Sequence, residues 1–319
     1  MTSGVSNKTD NRPDQSNGLH YFALLTICAT FVLIIAGALV TSNQAGDSVP
    51  DWPLSFSRWI IDSNRFIANV RFEYSHRVIA GTVGTLTLIL AIIAVLRERR
   101  NWVRNLAIAA FLLVIAQAVI GGIRVHYPTY KAEIAIPHAL IAQSFLSLLV
   151  GIAVFTSRQW RDTVALISDK TALSLRSLAP LTTGAMLIQL VLGAGFRHQA
   201  FGIMPHVFGA VFVAFFVFLT GTLTITRHSN EQYLQRPAMV AIGLVVVQIG
   251  LGISSYFARM AAVNDPQPLE PMISLTVAHV LTGALTLTAM VVLTLRIYRT
   301  LLPASAGVEL STAGRQATI

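Results

Sequence analysis

Eight apolar stretches dominate this chain, at 19–41, 74–96, 103–123, 136–156, 178–197, 203–226, 238–257 and 273–296. Each matches the roughly 20 residues that a helix needs to cross about 30 Å of hydrocarbon. Lipid offers no partner for a bare N–H or C=O, so a run of this length and composition satisfies its backbone internally, as a helix. The expected fold is therefore an all-α integral membrane protein with eight transmembrane helices. Charged residues make up 12% of the chain, about half the roughly 25% of an ordinary soluble domain. The net charge of +9 does not point to a nucleic-acid partner, because the basic residues fall in short gaps between apolar runs and not on one face of a soluble element. Cys28 is the one cysteine and lies inside the first run. That excludes an intramolecular disulfide, a Cys-x-x-Cys redox pair and thioether attachment of a cofactor.

The polar opening "MTSGVSNKTDNRPDQSNG" leads into a run longer than the 7–15 residue core of a signal peptide, so the first run is expected to be a retained span. Fifteen Lys and Arg residues fall on the side that holds both termini and eight on the other. The positive-inside bias then predicts a multi-pass protein of the cell membrane with both termini cytoplasmic. The polar stretch 42–72 becomes the long external loop, with Trp52 and Trp59 as headgroup-level anchors.

The chain repeats itself. "QAVIGG" at 117–122, "QLVLGAG" at 189–195 and "QIGLG" at 248–252 each set a glutamine four residues before a glycine near the outer end of an odd-numbered run. The run that follows carries a histidine near its outer end: His138, His206 and His279, with His76 supplied by the first hairpin. This predicts two related four-helix bundles: a cytoplasmic tail 1–18, an N-terminal half 19–156, a linker 157–177, a C-terminal half 178–296 and a cytoplasmic tail 297–319. A lone interfacial histidine is usually a hydrogen-bonded polar residue. Four at matching places are not, because ionisable groups within spans are costly unless paired or functional. Imidazoles facing one another inside a helical bundle suit the axial ligation of haem iron. A zinc site would call for Cys, Asp or Glu within reach, and only Glu73 lies beside a histidine. The expected metal ligands are His76 with His138 in the first half and His206 with His279 in the second. Glycines such as Gly81, Gly84, Gly209 and Gly283 leave room for a flat apolar ligand, although most are expected to serve helix packing.

Taken together, the eight runs, "GALVTSNQAGDSVPDWP" at 37–53, Glu-x-x-His-Arg in "EYSHR" at 73–77, "GGIRVHY" at 121–127 and the three later histidines resemble the haem A synthase family of cytochrome oxidase assembly enzymes. The resemblance runs from about residue 19 to 296. It implies oxidation of the C8 methyl group of haem O to a formyl group, through an alcohol and a hydrated aldehyde, to give haem A for terminal oxidases. It also implies haem O as substrate between His76 and His138, and haem b as cofactor between His206 and His279. The implied partners are membrane lipid, a haem O synthase, a terminal-oxidase assembly apparatus and an electron acceptor that the sequence does not identify. Some relatives carry a cysteine pair in the first external loop, where this chain has Ser48 and Val49.

Within that frame Glu73, three residues before His76 and on the same helix face, is expected to join His76 and His138 as a catalytic residue, transferring protons at the haem edge. Its alternative role is a structural pair with Arg77. Arg77, Arg124 and Arg197 are expected to bind the haem propionates, since the guanidinium fork suits a carboxylate. Two other readings stay open. One is a bis-histidine b-type cytochrome passing electrons from quinol, and the other is a haem carrier or transporter built from repeated halves.

Overall fold

The computed structural model describes residues 15–162, 165–169, 173–261 and 269–302. Lys8, Arg12, Lys170 and Arg315, which enter the charge count above, lie outside them. Among the described residues there is no β-strand, and eight long helices carry the fold. They are α1 (Gln15–Ser42), α2 (Val70–Arg97), α3 (Asn101–His126), α4 (Lys131–Thr156), α5 (Leu175–Arg197), α6 (Met204–Arg227), α7 (Gln232–Ala261) and α8 (Glu270–Thr300). All eight are long and apolar enough to cross a membrane. Most run beyond the apolar stretches that announce them, because a helix continues through polar residues until a cap or a connecting turn ends it. The start of α2 at Val70 matters most. It places Glu73 and His76 inside a formed helix and not at its first residue.

Neighbouring helices pack in sequence order and each set of four closes on itself. In the first set α1 packs on α2 and α4, and α3 on α2 and α4; in the second, α5 packs on α6 and α8, and α7 on α6 and α8. The sets meet where α1 and α4 contact α8 and α4 contacts α5. Two apolar cores follow from this packing. One is built on Leu90, Leu146, Leu149 and Ile152. The other is built on Leu175, Leu234, Met290 and Leu293.

Several threonines within the spans are satisfied locally. Thr87, Thr156 and Thr224 each donate to the carbonyl four residues back, at 2.7 Å, which hides the hydroxyl without a second helix. Thr182 with Thr220 and Thr183 with Thr294 instead bond between helices, each at 2.9 Å, the kind of polar contact that joins helices in lipid.

Candidate haem-ligating site

The four histidines sit on the even-numbered helices, near the ends that face the 43–69 loop. Each imidazole lies on a glycine of the helix before it: His76 on Gly37, His138 on Gly121, His206 on Gly193 and His279 on Gly252. A methyl group at those glycines would stand 3.1, 3.8, 2.9 and 3.0 Å from the nearest ring atom. Three of the four rings are therefore seated so closely that only glycine fits without displacement. The first of these glycines has no glutamine four residues earlier, since Leu33 stands there, which is why the sequence repeat does not announce it.

The three glutamines reach the same histidines. Gln117 Nε2 donates to the His138 carbonyl at 2.8 Å. Gln189 Nε2 donates to the His206 carbonyl at 2.8 Å and lies 2.9 Å from its Nδ1. Gln248 Nε2 lies 3.2 Å from His279 Nε2, and the Gln248 carbonyl lies 3.1 Å from His279 Nδ1. An Nδ1–H donated to that carbonyl leaves Nε2 with its lone pair, the tautomer that a metal-ligating imidazole takes.

Does this arrangement fit a haem? The rings of His206 and His279 have centroids 6.3 Å apart and planes at 80°. With imidazole–metal bonds of about 2 Å on each side and roughly 1 Å more from nitrogen to ring centre, two trans ligands have centroids about 6 Å apart. The buried Nδ1 of His138 and the buried Oε1 atoms of Gln117, Gln189 and Gln248 have no hydrogen-bond partner, whereas buried polar atoms nearly always have one. His76 lies close enough to His138 to interact with it electrostatically. Among the described residues no three His, Cys, Asp or Glu side chains converge on one point, so what the chain offers is paired imidazoles and not a protein-only metal cage. On these observations the residues fit haem.

The charged residues that the sequence singles out bind the loop as well as flank the histidines. Glu73 is only 5% exposed. Its Oε2 accepts from the backbone N–H groups of Ser48 and Val49 at 2.7 and 3.0 Å, and its Oε1 from Arg77 Nη2 at 2.6 Å. Arg77 also donates to the carbonyls of Val49, Asp51 and Leu54, so its two terminal nitrogens are committed to the loop. Arg124 reaches the Gly46 carbonyl at 3.3 Å and lies 3.8 Å from the Asp47 carboxylate, with its Nε buried and unpartnered. Arg197 Nη2 donates to the Ala38 carbonyl and to Ser42 Oγ at 2.9 and 2.8 Å. Trp59 is 77% exposed. Trp52 packs on Gly122, where the helix presents no side chain to exclude a bulky ring.

His198 was not singled out by the sequence. It follows α5 directly and lies close enough to Arg124, Arg197 and His138 to interact with all three. Burial, followed by the nearby Arg197 charge, pushes its imidazole down from 6.5 to about 4. The signal available was its place in "GFRHQ", beside the arginine at the end of a repeat unit.

Residues 61–205, from the external loop to the start of α6, match the family model described as cytochrome oxidase assembly protein. Haem A synthase of Alkalihalophilus pseudofirmus is 27% identical over 76% of this chain and 89% of its own length. The haem A synthases of Exiguobacterium sp. and Halalkalibacterium halodurans are 27% and 28% identical, over 73% and 74% of this chain and 82% and 86% of their own lengths. The chain is thus similar to haem A synthases over about three quarters of its length. The family-model match spans His76, His138 and the Gln189–Gly193 step, and ends just before His206.

Proposed function

We propose that this protein is a membrane-embedded haem A synthase, which oxidises the C8 methyl group of haem O to a formyl group. The observation that carries the reading is the repeated seat, a histidine on a glycine in each of four hairpins, in a chain related to haem A synthases over most of its length.

The two pairs take different tasks in this proposal. His76 and His138 flank the substrate haem O in the N-terminal half, 19–156. His206 and His279 hold haem b in the C-terminal half, 178–296, and the 6.3 Å ring separation supports that pairing. Haem b, when bound, supplies a route for electrons toward an acceptor. The chain's own residues position the substrate and handle protons. Glu73 stands one helical turn before His76 and is the one carboxylate of α2. Its three hydrogen-bonding partners, the amides of Ser48 and Val49 and the Arg77 guanidinium, fix it in place, and it moves a proton at the substrate edge. Arg124 and Arg197 face the propionates, since Arg77 has its terminal nitrogens engaged by the loop. Both termini are cytoplasmic in this reading, and a haem O synthase and the terminal-oxidase assembly apparatus lie before and after it.

Co-expression with a haem O synthase, followed by haem extraction and mass analysis, tests the proposal. Appearance of formyl-bearing haem A is expected. Unchanged haem O in cells competent for the oxidation would favour a b-type cytochrome or a haem carrier.

A further inference from the structure

The end of the bundle away from the histidines holds a cavity of about 520 Å³ between α7 and α8, with Gln159 of the turn after α4 completing its wall. Its sides are apolar, formed by Val240 and Leu244 of α7 and Leu285 and Val292 of α8. Its mouth is basic. Arg296 is held there in a fixed pose: its Nη1 donates to the Tyr233 carbonyl at 2.9 Å, and its guanidinium lies 4.2 Å over the Tyr233 ring. The Nε of Arg296 is buried without a partner. Arg236 lines the same mouth, near enough to Arg296 for the two charges to interact, and its Nη2 donates to Gln232 Oε1 at 3.2 Å. Among the described residues no carboxylate pairs with either arginine.

Two like charges at the mouth of an apolar slot repel unless an anion lies between them, and the guanidinium fork suits phosphate oxygens. A slot between two spanning helices has the shape and polarity of an acyl chain. We propose that this cavity binds one anionic phospholipid, with its phosphate on Arg236 and Arg296 and an acyl chain between α7 and α8. Basic pockets between spanning helices bind such headgroups elsewhere. The lipid also bridges the two helix sets, because Gln159 leaves the first and Val292 packs against the first core.

Native mass spectrometry of the full chain in mild detergent tests this, with phosphatidylglycerol, phosphatidylcholine and inorganic phosphate added in separate titrations. One phosphatidylglycerol should be retained, with a preference over phosphatidylcholine of roughly 10-fold or more from two basic contacts. The preference should vanish in Arg236→Gln with Arg296→Gln, and survive in Arg99→Gln with Arg227→Gln, which removes two exposed arginines at the same end, one after α2 and one at the last residue of α6. Thr288→Trp, which fills the cavity but keeps both arginines, should also abolish retention, and so serves if the double variant does not fold. Equal retention of the two lipids would overturn the proposal. So would a preference that persists in both the arginine and the tryptophan variants, or displacement of the lipid by millimolar inorganic phosphate.

Discussion

The glycine beneath each histidine is where a single methyl group separates ligand positioning from general packing. At Gly193 and Gly252 an added Cβ meets the His206 and His279 rings at 2.9 and 3.0 Å, whereas at Gly121 it stands 3.8 Å from His138, an ordinary contact distance. Gly193→Ala and Gly252→Ala are therefore expected to disturb the spectrum of haem held in the second half, while Gly121→Ala leaves helix packing and haem content near normal; absorption spectra of the purified variants check this. Glu73 poses a different question, since its carboxylate fastens the loop and, in the proposed function, also moves a proton. If it transfers a proton, Glu73→Gln lowers haem A output about 100-fold or more while haem b stays bound. Arg77→Lys, which keeps a cation beside Glu73, should cost far less output, as measured by haem extraction. His198 gives a pH dependence. Its folded-state pKa is lowered to about 4 from 6.5, so the unfolded chain takes up the proton first and stability is lost as pH falls from about 6.5 toward 4. Thermal unfolding across that window should show a smaller acid loss in His198→Gln than in the parent chain.

At the scale of elements, the external loop and the helix ends hold the account together. The loop that carries Ser48 and Val49 in place of cysteines is fastened by non-covalent bonds: the Ser48 and Val49 amides on Glu73, and the Val49, Asp51 and Leu54 carbonyls on Arg77. Arg197, at the end of α5, ties α5 to the end of α1 through Ala38 and Ser42. Hydrogen bonds from a charged group contribute about 1.5–3 kcal/mol, so Arg197→Gln should lower thermal stability in detergent by an amount of that order without removing any helix seen by circular dichroism. The helices themselves were legible because an apolar run of spanning length has one stable form in lipid. The histidine ladder was legible because Gln-x-x-x-Gly recurs in the helix before three of the four histidines. The loop contacts were not. Glu73 meets amides 25 and 24 residues away, and Trp52 meets Gly122 across the fold, and no local spacing encodes either. Gly37 was hidden for a related reason, since its hairpin keeps the seat but has Leu33 where the others have glutamine.

For the whole molecule, orientation decides which side the histidines face. Reporters fused after Leu96, Arg161, His228 and Arg299 should lie in the cytoplasm and one inserted near Asp62 outside; a cytoplasmic signal at Asp62 would put the paired histidines at the wrong surface. The central claim is that one chain holds a resident haem between His206 and His279 and a substrate haem between His76 and His138. The optical spectrum of purified His279→Ala set beside that of His138→Ala tests it most directly. An iron that loses one of two imidazoles changes spin state or leaves, so His279→Ala should lose the low-spin haem b signal and His138→Ala should keep it. A low-spin signal that survives in His279→Ala but disappears in His138→Ala would contradict the assignment of the halves.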